Sequence, residues 1–173
     1  MKKLLIGFVM LAGVLRASAA VINVSPGADL QAAVDGAKDG DTIVLSKGTY
    51  EVQAQNNKDS AAIVVTKAIT IIGETGDPAD VIVRNTAGGV KTTSGSNTEG
   101  FYRVFLIKNA SAVLSGLAVE GGKAGGANDA TGANIRIASA GGTVTNCIIR
   151  NAIMNALGPN DYPKGGAGGA GIA

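Results

Sequence analysis

The sequence predicts an all-β fold, a parallel β-helix (solenoid) closed at its N-terminal end by one capping α-helix. Three observations carry that prediction. Short runs rich in Val, Ile and Thr alternate with glycine-bearing turns, one helical pattern stands near the start, and a stretch of the chain repeats itself 30 residues later. Branched aliphatic residues and Thr favour strands, and Gly supplies the tight turns between them. The composition agrees: 46% of the 173 residues are hydrophobic but only 3% aromatic, with 26 Gly, no His and no Trp. A core must therefore be built from Ala, Val, Ile and Leu, and the length is enough for one domain.

The opening MKKLLIGFVMLAGVLRASAA reads as a secretory signal peptide over residues 1–19. It has a basic start at Lys2 and Lys3, an apolar run, and an A-x-A site that places cleavage after Ala19. The run is shorter than the roughly 20 residues a membrane span needs, and Arg16 closes it. No later segment is apolar enough to span a bilayer. Three of the 15 basic residues leave with the leader, so the mature chain has 12 against 13 acidic ones. That near-neutral balance does not support a nucleic-acid partner. The single cysteine, Cys147, has no internal disulfide partner and no His to activate it, so it reads as a small apolar residue.

Residues 20–173 read as the N-terminal part of one β-helix domain, with a cap at about 22–41 and rungs over about 42–173. Residues 21–24 alternate as a strand does. The pattern SPGADLQAAVDGAKDG predicts the cap helix: Ser25-Pro26-Gly27 as the start signal, and Leu30, Ala33, Val34 and Ala37 on one face. Asp29 is expected in its first turn, Lys38 in its last, and Gly40 as its stop. Thereafter short strands are expected at 42–45, 62–65, 69–72, 81–84, 104–107, 113–114, 117–119, 134–137, 143–144 and 147–150. One helix followed by many strands is not the alternating pattern of a doubly wound sheet.

The repeat decides the architecture. LIKNASAVLSGLAVEGG (106–122) lies over RIASAGGTVTNCIIRNA (136–152) without a gap. Ile107 meets Ile137, Leu114 meets Val144, Ser115 meets Thr145, Leu117 meets Cys147 and Val119 meets Ile149. A second echo sets GANI (132–135) against GAGI (169–172), at a spacing of 37. A unit of this length cannot bury its apolar face alone, whereas stacked units share a continuous core.

DLQAAVDGAKDGDTIVLSKGTY, ITIIGETG, LSGLAVEGG and VTNCIIRNA together resemble the right-handed parallel β-helix proteins of the pectin-lyase-like superfamily. The resemblance runs over nearly all of the mature chain and implies the fold more than an activity. The family includes polysaccharide lyases, esterases and hydrolases as well as phage tailspikes and adhesins. Its enzymes carry acidic residues, or a calcium site with a basic Arg or Lys, on the outer face of central rungs. This chain lacks the paired Asp-Asp, Gly-His-Gly and Arg-x-Lys patterns, and it ends at GGAGIA, one or two residues into an expected strand. The reading is of a fragment, truncated at the C-terminus, with any catalytic rungs beyond Ala173.

Arg103, Lys108, Glu120, Arg136 and Arg150 are the charged residues on or beside the expected strands that draw attention. Strand alternation turns Glu120, Arg136 and Arg150 outward, and the repeat sets Glu120 over Arg150 as an exposed ion pair worth about 0.2–1 kcal/mol. Asn128-Asp129 and Asn160-Asp161 stand in Gly-rich stretches that do not complete a calcium β-roll pattern and read as loops. Of the aromatics, Tyr50, Phe101, Tyr102, Phe105 and Tyr162, one or two are expected to fill space beside the core. Asn109 and Asn151 read as turn residues or as an Asn stack, and Asp39, Asp41 and Lys47 as turn and cap residues.

No residue is assigned a catalytic, cofactor-binding or metal-ligating role. The expected function is a secreted or cell-surface solenoid, structural, adhesive or glycan-contacting, with an extracellular polysaccharide as the expected partner. The alternative is the N-terminal part of an extracellular polysaccharide lyase or esterase resembling pectate lyases. An isolated fragment is expected to fray or aggregate at its last rung.

Overall fold

A computed structural model describes residues 18–53, 61–86, 103–124, 132–138 and 141–154. The expectations placed on the leader up to residue 17, on Phe101, Tyr102, Asn128, Asp129, Asn160, Asp161 and Tyr162, and on the echo at 169–172 lie outside these residues.

Strands β1 (Val21–Val24), β2 (Thr42–Leu45), β5 (Thr70–Gly73), β8 (Val113–Ser115) and β12 (Thr143–Thr145) form a first sheet, in the order β1-β2-β5-β8-β12. A second sheet has the order β13-β9-β6-β3, from β3 (Gly48–Val52), β6 (Val81–Asn85), β9 (Ala118–Glu120) and β13 (Ile148–Arg150). A third joins β11 (Ile135–Ile137), β7 (Arg103–Ile107) and β4 (Ala61–Val65), and a fourth pairs β10 (Lys123–Ala124) with β14 (Ile153–Met154). Every strand pairing among the described residues is parallel. The chain visits the first, second and third sheets in the same cyclic order, layer after layer. This all-β stack of parallel sheets with one short helix is compatible with a β-solenoid.

The gapless offset of 30 holds in the last described layer. Ile137 pairs with Ile107, Val144 with Leu114, Thr145 with Ser115 and Ile149 with Val119. Earlier layers differ in length because their loops differ: Thr42 pairs with Thr70, whereas Ile63 pairs with Phe105. Inward positions form aliphatic rows. In the first sheet Ile22, Ile43, Ile71, Leu114 and Val144 stand in register, and Ile43, Ile71 and Leu114 are fully buried. Burying each such side chain contributes about 1.5–3 kcal/mol. Tyr50 and Phe105 are the described aromatics, and both lie in the core. The Tyr50 hydroxyl lies 2.6 Å from the Val24 carbonyl and 2.9 Å from that of Ser46, which is how its polar end tolerates burial.

The helix is shorter than its sequence pattern implies. It spans Leu30–Gly36 (α1), with Asp29 as the N-cap, its carboxylate accepting the Ala32 N–H at 3.0 Å. Asp29 is therefore outside the first turn, and Ala37, at ψ 157°, has already left helical space. Lys38 and Gly40 belong to the turn that follows. The cation at the helix C-terminus comes instead from the next layer: the Lys67 ammonium donates to the carbonyls of Val34, Asp35 and Ala37. A cation placed there contributes about 1 kcal/mol. Leu30 and Val34 bury the apolar stripe, and the Gln31 amide meets the outer edge of β4, accepting the Val64 N–H at 2.7 Å. β1 is the first described strand of its sheet and pairs with β2 from Val21↔Thr42 to Val24↔Leu45.

The left-handed turn positions repeat as well. Gly116 and Asn146 have φ 67° and 46°, and Gly121 and Asn151 have φ 77° and 55°. Asn is the residue that best replaces Gly in this conformation. Asn109 is a turn residue of another kind, its side chain accepting the Ser111 N–H and donating to Thr66 O.

Candidate functional site

On the outer face of the second sheet, four charged residues stand in register on successive strands: Glu51, Arg84, Glu120 and Arg150. Alternation along β3, β6, β9 and β13 aims them away from the row Tyr50, Val83, Val119 and Ile149. Glu120 is the centre. Its Oε1 accepts from Arg84 Nε at 2.6 Å, and its Oε2 from Arg150 Nε at 2.7 Å and Asn151 Nδ2 at 3.2 Å.

The Glu120–Arg150 pair is where the repeat places it, but it is not an exposed pair. Glu120 is only 3% exposed, while the Arg84 and Arg150 side chains are 44% and 43% exposed. Burial alone would raise the Glu120 pKa. The hydrogen bonds and charges of Arg150 and Arg84 outweigh it and hold the carboxyl below its ordinary value of 4.5. An ionised carboxylate with both oxygens engaged is a poor proton donor at neutral pH, and its evident work is to bind three layers together.

Directly behind this cluster lies Asn134, fully buried just before β11. Its Oδ1 accepts the Gly122 N–H at 2.8 Å, and its Nδ2 reaches the carbonyls of Arg150 at 2.8 Å and Val119 at 3.2 Å. One amide thus joins two successive layers of backbone at three points. Asn134→Leu is expected to cost about 2–3 kcal/mol, since it leaves buried polar groups unpaired. A urea titration checks this: the midpoint should fall at constant m-value.

A groove of about 740 Å³ opens between α1 and the ends of β3 and β4. Asp29, Gln31, Asp35, Glu51 and Gln53 line it among apolar residues, so its polar lining is acidic and amide-bearing. Two of these carboxylates are already engaged, Asp29 by the Ala32 N–H and Asp35 by the Gln31 amide at 2.7 Å. Among the described residues no three His, Cys, Asp or Glu side chains come together as a metal site.

The other residues singled out from sequence are dispersed. Arg103 is buried in β7 at 2% exposure. Lys108 and Arg136 are half-buried at and near the third sheet, away from Glu120 in register. Asp39 accepts the Ala68 N–H at 2.8 Å, and Lys47 pairs with Asp80 at 2.7 Å, both as turn residues between layers. Cys147 is half-buried against the core, and burial pushes its thiol pKa up.

Arg84 and Asn134 are the residues sequence reasoning missed. Arg84 sits 36 positions before Glu120, and a gapless search at 30 cannot find it. Asn134 reads as an ordinary strand residue until its burial is seen.

The fold and these clusters define a class: an all-β stack of parallel sheets whose described charged groups are committed largely to joining its layers. No described helix is long and apolar enough to cross a membrane. Comparison with protein-family models, with curated proteins and with solved structures gives no match to this chain.

Proposed function

We propose that the chain is the N-terminal part of an exported contact solenoid, a right-handed parallel β-helix of the pectin-lyase-like kind that lies against extracellular polysaccharide without cleaving it. The observation that supports this reading is the outer face of the first sheet. Its outward rows, such as Thr42, Thr70, Val113 and Thr143, or Val44, Ile72, Ser115 and Thr145, carry no charge over successive strands and are half-exposed or exposed. Small hydroxyl and aliphatic groups in flat rows suit a neutral, repetitive ligand, and the charges are kept to the neighbouring sheet. The test incubates the exported protein with insoluble and soluble polysaccharides. Retention on the insoluble material is expected, lost in Thr70→Lys, with no unsaturated product from pectate, alginate or chondroitin by ultraviolet absorbance. Robust product formation would overturn it.

The second reading is the N-terminal part of an extracellular polysaccharide lyase or esterase. The acidic groove beside α1 favours it, because its volume falls in the range of small-ligand sites. Product formation lost in Glu51→Gln would establish that reading instead.

A further inference from the structure

Asp41 stands immediately before β2, and it is only 6% exposed. Its Oδ2 accepts the Lys38 N–H at 2.8 Å, closing the turn after α1. Its Oδ1 accepts from Ala20 N, also at 2.8 Å. Ala20 is held on its other side too, because its carbonyl accepts the Thr42 N–H at 2.8 Å. Ala20 therefore has a fixed place one position ahead of β1, in register with Asp41, while Ser18, Ala19 and Ala20 themselves are exposed.

The leader reading places cleavage at the bond between Ala19 and Ala20. We propose that Asp41 is the receptor for the α-ammonium group which that cleavage creates, so that processing converts a backbone hydrogen bond into an ion pair that fastens the start of β1 against β2. The proposal rests on the export reading above. The chemistry is hydrolysis by a leader endopeptidase. Water adds across the amide, the Ala19 carbonyl leaves as a carboxylate on the leader, and Ala20 N takes up protons to become the ammonium. A backbone N–H offers one donor, an ammonium three and a full charge, and a charge-assisted bond is roughly twice as strong as a neutral one.

Position matters to within one residue. A chain that keeps Ala19 carries its ammonium roughly 3.8 Å further along and leaves an amide against Asp41. A chain that begins at Val21 has lost the nitrogen that Asp41 meets. The charged groups around the carboxylate are Lys38 and Lys67, both cations, which favour its ionised form along with the two backbone donors. Backbone hydrogen bonds from Ala20 and Lys38 hold the Asp41 pKa below its ordinary value, so the receptor is anionic across the physiological range.

The sign follows from linkage. A free α-amino group titrates at about 7.7–8.0, and a carboxylate beside it raises that value. The added stability is fully present below about pH 7.7 and is lost as pH rises through the folded-state value.

The experiment uses the protein exported and processed in cells, with its N-terminus read by mass spectrometry. The α-amine pKa is measured by pH-dependent labelling, and stability is followed from about pH 6 to about pH 10. An N-terminus at Ala20, a raised amine pKa, and an alkaline loss of stability that an Nα-acetylated chain lacks are expected. Asp41→Asn should return the amine to its ordinary value. If that variant does not fold, a chain extended by Ala19 serves in its place and should show no raised pKa. An Ala20 terminus with an ordinary amine pKa would sink the capture and leave export standing. A secreted protein with its leader intact would sink the capture and the cleavage it depends on, and a protein retained inside the cell would sink the export reading.

Discussion

Gly122→Ala is expected to be the most damaging single methyl group in the described structure, at about 3–5 kcal/mol. A Cβ at Gly122 would stand 1.9 Å from the Ala133 carbonyl oxygen, 2.6 Å from its carbon and 2.7 Å from Asn134 Oδ1. Two of those atoms are backbone, so no side-chain rotation relieves the clash. The cost is not one of φ, since Gly122 is not among the positive-φ glycines. It is one of approach: the chain passes so close here because Asn134 pulls the Gly122 N–H inward. Pushing the two apart also breaks that bond, adding about 1 kcal/mol to the steric term. For a chain of this size the melting temperature should fall by roughly 10 °C or more. An unchanged melting curve would mean that the approach is looser than described.

The double substitution of Arg84 and Arg150 by Ala should cost a comparable amount, about 3–5 kcal/mol, because it strands a carboxylate that is 3% exposed. Each single substitution should cost clearly less, since one arginine still faces Glu120 and the half-exposed partners are screened by water. The pH profile is the sharper test. In the natural chain the Glu120 pKa is depressed, so its contribution is complete above about pH 4.5 and is lost as pH falls through the folded-state value. Without the two cations burial dominates and raises that pKa. The same carboxyl then destabilises the protein as pH rises through the acid range. Denaturant titrations of both chains from about pH 3 to about pH 7 should therefore differ in slope sign for this group. Parallel profiles would show that the arginines are not what keeps Glu120 ionised.

Much of the layer-to-layer register was legible because the last two described layers differ by no insertion. Leu114 over Val144 and Glu120 over Arg150 are read from spacing alone. The left-handed turns could have been read the same way, since Gly116 and Gly121 become Asn146 and Asn151 at the same offset. Earlier layers hide their pairing behind loops of unequal length, which is why Arg84 escaped notice.

Strand β3 was missed because Gly48 begins it and Glu51 interrupts its apolar run. A strand paired in parallel along its whole length, as β3 is with β6, needs less intrinsic preference than an isolated one. The helix was overextended for the converse reason. Its apolar spacing continues to Ala37, but Lys67, from another layer, supplies the C-terminal cation and the chain turns at once towards β2. Burial of polar groups was the least legible property. Arg103, Asn134 and Glu120 are ordinary surface residues by type, and only the stacking of layers around them puts them inside.

The Gln31 side chain has one consequence for the protein in company. A primary amide has the same donor and acceptor as a peptide group. Gln31 presents both to Val64, its carbonyl oxygen taking the N–H at 2.7 Å and its amide nitrogen lying 3.4 Å from the C=O. It behaves as a single link of counterfeit backbone, laid along the first edge of the third sheet. A foreign strand that tries to continue that sheet finds this link already occupied, and α1 stands in the path of the rest. The stack of layers is thereby given a direction: along this sheet it can be lengthened from within its own chain, and is guarded against being lengthened by a stranger at the β4 edge.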